Sequence, residues 1–417
     1  MLMDLALLSL ILFLITVVIG ILTRVNCGLV AMITSFILVQ FFMPDMTLTD
    51  IYTLGWPSKI FFMMLAVTLL FGMAGANGTM EIIAKRLIRL LHGRTRLIPL
   101  FIFLLTFILS AAGAGPGIAP MIMPIAMGIC AETGLSAFMM GVMIEAGAGA
   151  GGMSPIATNG IIASGFAEAA GATGYIRMYI PYILIMTAEA VAIYFFRGGH
   201  KAADVASTQT QQPIPGMDLY QKLTTAVIAC VIFCVIVLGL DVATVAMVGA
   251  AILLIFGVMK DRSAIATVNW NTLMLVAGMF MLITLVSHAG GIDLISKTIM
   301  RFITPKTGTG IMALLSGLLA IVTSSSGVVM PTLIPVAGNI AATMGQGITA
   351  NMLIAGVCAG ANSAFYSPFS VLGSLTIAMY PETVDRDKIF IAHLVLTFVS
   401  IAFTTILAFA GFIGLFL

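Results

Sequence analysis

Residues 110–124 read SAAGAGPGIAPMIMP, and residues 324–335 read SSSGVVMPTLIP. Each stretch lies inside an apolar segment, where a membrane-spanning helix would run unbroken. Each instead sets small residues ahead of spaced prolines. Glycine frees the backbone, and proline removes a donor and obstructs the preceding turn. In hydrocarbon, such backbone is tolerated only where protein or a wet cavity satisfies it. The two stretches therefore predict re-entrant helical hairpins whose tips lie near mid-membrane, and the rest of the chain is read outward from them.

The surroundings are those of a membrane protein. The 417 residues are 61% hydrophobic and 8% charged, with a mean hydropathy of +1.17. A soluble domain carries about 25% charged residues, so a water-soluble enzyme is excluded. With 18 Lys and Arg against 16 Asp and Glu, no nucleic-acid partner is indicated. One span takes roughly 20 apolar residues, which leaves room for about ten. Cys27, Cys130, Cys230, Cys234 and Cys358 all lie in apolar stretches, without metal-binding or disulfide spacing, and read as small core residues.

Uninterrupted spans read at about 5–22, 27–43, 58–77, 175–196, 219–239, 242–259, 270–288 and 389–416. The first lacks the basic start and cleavage site of a signal peptide, so it counts as a span. The polar stretch 198–218, GGHKAADVASTQTQQPIPGMD, reads as a linker. Its central position prompts a search for repeats, and the halves match at an offset of about 212 residues. Trp56 pairs with Trp270, these being the 2 tryptophans of the chain. Gly78, Glu81, Lys85 and Arg89 pair with Gly290, Asp293, Lys297 and Arg301; Pro120 and Pro124 with Pro331 and Pro335; Ser154-Pro155 with Ser367-Pro368.

The expected architecture is an all-α polytopic membrane protein of two inverted-topology repeats. It has about ten transmembrane helices and two re-entrant hairpins. Residues 1–197 form the first repeat, with an interfacial helix at 79–92, a hairpin at 96–131 and a broken helix at 135–168. Residues 198–218 form a cytoplasmic linker. Residues 219–417 form the second repeat, with an interfacial helix at 291–302, a hairpin at 308–344 and a broken helix at 348–380. The interfacial helices are amphipathic, and Glu81/Lys85 and Asp293/Lys297 stand in the favourable i,i+4 order. An odd number of spans per half requires the inversion. With both termini outside, thirteen of the 18 basic residues fall on the cytoplasmic side, which the positive-inside rule favours. The expected location is the cell inner membrane.

Inverted repeats with broken helices mark a secondary transporter. Its site should lie where the four broken elements converge: 110–117, 147–160, 323–327 and 359–374. Candidate substrate groups on these are Ser110, Gly115, Gly117, Thr158, Asn159, Ser324, Ser325, Ser326, Ser367 and Ser370. Half-helix N-termini suit an anion, and unwound carbonyls suit Na⁺. Candidate cation or proton groups are Glu145, Gly149, Ser154, Thr323, Asn362 and Ser363, with Na⁺ expected at the 147–155 and 359–367 breaks. Lys and Arg are absent from the deep part of the spans, so an anionic substrate would need a co-bound cation. Glu145 lies about ten residues into its helix, roughly 15 Å deep. A buried acid in a membrane is a functional candidate by default; Glu189, also within a span, reads as a hydrogen-bonded structural acid. His288 and His393 read as structural or interfacial. There is no HExxH, GxSxG or paired His/Cys set, so no enzyme and no resident cofactor is expected. A channel is disfavoured because no ring-forming filter sequence stands out.

Three segments carry a resemblance: LLFGMAGANGTMEIIAKRLIRLLHGR, SAAGAGPGIAPMIMPIAMGI and GAGAGGMSPIATNGIIASG. They resemble the MatC-type malonate/dicarboxylate carriers, closely over about 1–170 and through the repeat thereafter. More distantly the chain is similar to the divalent anion/sodium symporter family of the ion transporter superfamily. The resemblance implies a lipid-embedded homodimer with a scaffold and a moving transport domain that works as an elevator. It implies uptake of small dicarboxylates, malonate or C4 acids such as succinate and malate, coupled to Na⁺ or H⁺. The alternative on the same architecture is a cation/proton antiporter or an arsenite-type exporter. The symporter family carries Ser-Asn-Thr at its hairpin tips, where this chain has Ser110-Ala111-Ala112 and Ser324-Ser325-Ser326. MatC-type asparagines in the first interrupted helix are here Ala146 and Gly149, while Asn362 stands opposite Gly149. Carbonyls, or Glu145, would then serve the first cation site.

Overall fold

The computed structural model describes residues 4–23, 25–89, 94–202, 216–345, 347–380 and 384–417. Arg24, the end of the expected 79–92 helix and most of the 198–218 linker lie outside the described residues. Among the described residues the chain is all-helical, without a strand.

The first half runs α1 (Leu5–Thr23), α2 (Cys27–Phe42), α3 (Ser58–Ala76), α4 (Thr79–Arg89), α5 (Ile98–Leu109), α6 (Ala119–Thr133), α7 (Ala137–Gly152), α8 (Thr158–Ala169) and α9 (Tyr175–Phe196). The second half runs in the same order: α10 (Leu219–Ile236), α11 (Val242–Ile255), α12 (Trp270–His288), α13 (Gly291–Met300), α14 (Gly308–Ala320), α15 (Met330–Met344), α16 (Ala350–Ser363), α17 (Val371–Ala378) and α18 (Arg386–Phe409). Six described helical stretches are long and apolar enough to cross a membrane, and five shorter apolar helices accompany them. Short polar side chains start the helices. Asn26 accepts from Gly28 N at the head of α2, and Asp241 accepts from Thr244 N at the head of α11. Asp218 and Gln221 form a capping box on α10, which satisfies backbone donors the helix cannot pair internally.

One of the six stretches, Thr95–Thr133, is not a straight rod. Gly113 takes φ 128° and Gly115 φ 59°, turning the chain between α5 and α6. Both arms pack on α7, the helix that follows them. In the second half α14 and α15 pack on α16 in the same way, around the turn Ser325–Val329. The α7/α8 and α16/α17 pairs are each one interrupted path. The breaks fall at 153–157 and 364–370, where Pro155 and Pro368 stand.

The helices pack in two groups. α2 lies against α12, α3 against α11, and α1 and α10 flank them. The hairpins, interrupted helices, α9 and α18 pack on one another, with α9 touching α16 across the halves. Within the first group α2 and α12 meet at Gly28 and Gly278, where a Cβ on either would land on the other helix's backbone. That small-residue contact lets dispersion, the available force in lipid, act over the closest distance.

On the amphipathic helix α4, Lys85 Nζ sits 2.6 Å from Glu81 Oε1, as the i,i+4 order predicts. On α13 the expected Asp293–Lys297 pair is not made. Asp293 Oδ1 accepts instead from Asn339 Nδ2 at 2.7 Å, because α15 packs on α13 and brings a fixed amide to the carboxylate.

Candidate functional site

A cavity of about 860 Å³ lies where the two packing groups meet. Its walls come from both hairpin tips (Gly113, Ala114, Pro116, Gly117 and Val322–Ser326) and from the starts of α8 and α17 (Thr158, Asn159, Ser370, Val371). The opposite wall comes from the first group, with Asn26, Thr68, Asn269, Asn271 and Thr272. Among the described residues no Asp, Glu, Lys or Arg lines it.

Four helix starts open onto this space: the turn Gly115–Ile118 leading into α6, α8, the turn Ser325–Val329 leading into α15, and α17. Free N–H groups make α8, Ser325–Val329 and α17 anion-binding ends; at the first tip Gly115 N–H donates to Ser110 O and Pro116 has no N–H, so that end acts through its dipole. Ser324 Oγ caps Gly327 N at 3.0 Å, and Ser370 Oγ caps Gly373 N at 3.0 Å. One donor at each of those two ends is therefore already used.

The hydroxyls expected at the site divide by what they bond. Ser110 Oγ donates to the Ala148 carbonyl at 2.8 Å, and Ser325 Oγ to the Ala361 carbonyl at 2.6 Å. These equivalent bonds tie each hairpin tip to its half-helix. Ser367 Oγ donates to Ile321 O at 2.7 Å, and Thr323 Oγ1 to Leu319 O at 2.6 Å. Ser110 and Ser367 are fully buried and do not line the cavity. Gly117 lines it, while Gly115 packs beside Thr158 Oγ1. The side chains of Thr158, Asn159 and Ser326 line the cavity and, among the described residues, bond no protein group.

The expected cation groups scatter. Gly149 packs against Phe365 and the Tyr182 hydroxyl. Ser154 Oγ turns to Ile156 N within the break. Ser363 Oγ donates to Gly360 O at 2.6 Å. Asn362 Nδ2 donates to Cys358 O at 2.7 Å, and its buried Oδ1 has no hydrogen-bond partner. Glu145 does not reach the cavity. It is fully buried and faces His393, with Oε2 and Nδ1 3.3 Å apart. His393 is thus an interior residue and not an interfacial one. Glu189 behaves as a hydrogen-bonded acid: Tyr366 donates at 3.1 Å and Ser400 at 2.7 Å.

Asn26, Asn269 and Asn271, which the sequence does not single out, also line the cavity. Asn26 Nδ2 donates to the Asn271 carbonyl at 2.7 Å, which joins the two halves at the cavity wall. The signal for them was their place at helix starts next to spans, where an Asn both caps and presents an amide.

Residues 3–152 match the family described as dicarboxylate carrier protein MatC, N-terminus. Residues 228–416 match the citrate transporter family. No curated protein sequence matches the chain. Among solved structures, the YdaH transporter of Alcanivorax borkumensis, described as having an unusual topology, superimposes with a TM-score of 0.66 at 14% identity. The match covers 98% of this chain and 98% of that one. At that identity the likeness speaks for the fold. The amino-terminal part of the chain is thus similar to a dicarboxylate-carrier family and the carboxy-terminal part to a citrate-transporter family, and the chain is a multi-pass membrane carrier and not an enzyme.

Proposed function

We propose that the chain is a secondary carrier of small dicarboxylates, malonate or C4 acids, coupled to Na⁺ or H⁺. The observation that carries this reading is the uncharged cavity ringed by four helix N-termini. Each N-terminus is worth about half a positive charge. Placed around one small anion, the four cover much of a dianion's charge without a Lys or Arg. Thr158, Asn159 and Ser326 add donors, unpaired among the described residues, to the carboxylate oxygens. Both matched families carry multivalent carboxylates in their names, which agrees with that chemistry.

A co-transported cation supplies the charge the helix ends do not. Asn362 Oδ1 is the best placed oxygen for Na⁺: it is buried, unpartnered and beside the second break. Hard cations take such oxygens. The repeated element order supports two inverted repeats with ten spans and two hairpins, and the two packing groups support a scaffold and a moving transport domain. Dimerisation and termini outside the cell complete the reading.

The test is uptake of labelled malonate, succinate and citrate into proteoliposomes under imposed Na⁺ or H⁺ gradients. Saturable, gradient-driven accumulation of a dicarboxylate is expected. Flux that neither saturates nor follows a cation gradient would identify a channel and end the reading.

A further inference from the structure

A second cluster of protonatable groups lies away from the cavity. Glu145 stands about two turns into α7, and His393 about two turns into α18; both side chains are 0% exposed. His393 Nδ1 is 3.3 Å from Glu145 Oε2, and His393 Nε2 is 3.1 Å from the Tyr380 hydroxyl. Both oxygens of Glu145 lack an aligned hydrogen bond. The Phe138 ring stands edge-on to the imidazole at 5.1 Å, and the Arg197 guanidinium covers that ring at 4.5 Å. The other titratable groups facing the cluster are few. Tyr366, after α16, faces Glu145 and hydrogen-bonds Glu189 of α9. Cys130 of α6 and Arg197 at the end of α9 face Tyr380. α5 offers no titratable side chain.

We propose that Tyr380, His393 and Glu145 form a proton-binding site, separate from the carboxylate cavity, that takes up one proton per transport cycle. Unloaded, Glu145 is a carboxylate and His393 is neutral. Its Nδ1 lies 3.3 Å from Oε2 without an aligned hydrogen bond, and the Tyr380 O–H donates to Nε2. The arriving proton binds Nε2, and the tyrosine rotates its O–H away so that its oxygen accepts the new Nε2–H. The cluster passes from one negative charge to none, and no bond other than that N–H forms or breaks. The imidazole keeps the Glu145 carboxyl beside Nδ1 and the Tyr380 hydroxyl on Nε2 in both states, which favours a site that must cycle away from water. Glu189 lacks this property, since both its partners are hydroxyls that already donate to it. The proton enters from the end of the bundle that holds Arg197 and Lys388, the ends of α9 and α18 nearest the cluster. That this proton drives transport rests on the carrier reading; that the cluster binds a proton does not.

Two measurements test this. The chain has 4 histidines, so ¹⁵N-histidine solid-state NMR of the full protein in lipid resolves few imidazoles, and His393→Gln identifies the signal of His393. That signal should convert from neutral to doubly protonated within the range of about pH 5 to 8 where histidine switches, and Glu145→Gln should displace the conversion. In proteoliposomes clamped at zero potential, one pH unit across the membrane sustains about tenfold accumulation per coupled proton. Wild type should reach it. Glu145→Gln and His393→Gln should fall to about onefold, while exchange at equal pH falls far less. Glu145→Asp, which keeps the charge, should restore accumulation above either. A His393 signal that does not titrate, or proton-driven accumulation unchanged in Glu145→Gln, overturns the site. A titrating, Glu145-dependent His393 in a protein that moves no carboxylate would sustain the site and overturn the carrier reading.

Discussion

Thr158, Asn159 and Ser326 differ from the other polar residues of the four converging segments in one respect: among the described residues, their side chains have no protein partner. Ser110, Ser325 and Ser367 have given their hydroxyls to backbone carbonyls. A neutral hydrogen bond contributes about 0.5–1.5 kcal/mol, roughly two- to tenfold in affinity. Ser326→Ala and Asn159→Ala should therefore raise the KM for dicarboxylate by about that factor and leave Tm nearly unchanged. Ser110→Ala should do the reverse, lowering Tm while KM holds, because it unties the first hairpin tip from α7. A KM that follows Ser110 and ignores Ser326 would place the substrate elsewhere. Sequence alone treats these serines alike. Each sits at or next to a predicted break, and only packing decides which hydroxyl meets a carbonyl and which meets open space. His393 shows the same limit: its position early in a span leaves a structural or an interfacial reading open, and only the segment carrying Tyr380, which covers it, decides for the interior.

At the scale of elements, the breaks were legible because Gly and Pro act through the backbone and need no knowledge of neighbours. The hairpin turn at Gly113 depends on one such position. Its φ of 128° is open to glycine and few other residues, and a Cβ there would enter the Phe71 ring of α3. Gly113→Ala combines backbone strain of order 1–3 kcal/mol with that collision. It should lower Tm by several degrees and abolish uptake, as read by a thermal melt and transport on the same preparation. An unchanged melt would mean the tip is far looser than drawn. The wall opposite the hairpins was not legible in the same way. Asn26, Asn269 and Asn271 are isolated residues at helix starts, and their convergence depends on α2 packing on α12 through Gly28 and Gly278. Asp293 shows a related limit, since its partner Asn339 arrives from α15, far along the chain.

For the whole molecule, the contacts between the two packing groups are the ones a sliding motion would have to exchange. They range from a ring contact between Phe166 of α8 and Phe280 of α12, 4.9 Å between centroids, to weak surface pairs. Lys59 of α3 meets Glu168 of α8 at 2.7 Å, with both side chains 65% exposed, and such surface pairs are worth about 0–1 kcal/mol. At the cavity edge, the Leu275 side chain of α12 fills the space a Cβ at Gly327 would occupy. That contact joins the first group to the second hairpin tip. If the hairpins and interrupted helices move as one body past α12, fixing this contact must arrest the cycle with the substrate site intact. Leu275→Cys with Gly327→Cys, in a chain whose five cysteines are replaced, puts two thiols across the boundary. Bridging them should stop uptake while dicarboxylate still protects the protein thermally, and reductant should restore transport. Uptake at the uncross-linked rate with the bridge closed would show that the tip and α12 travel together, and the boundary between moving and fixed parts would have to be drawn elsewhere.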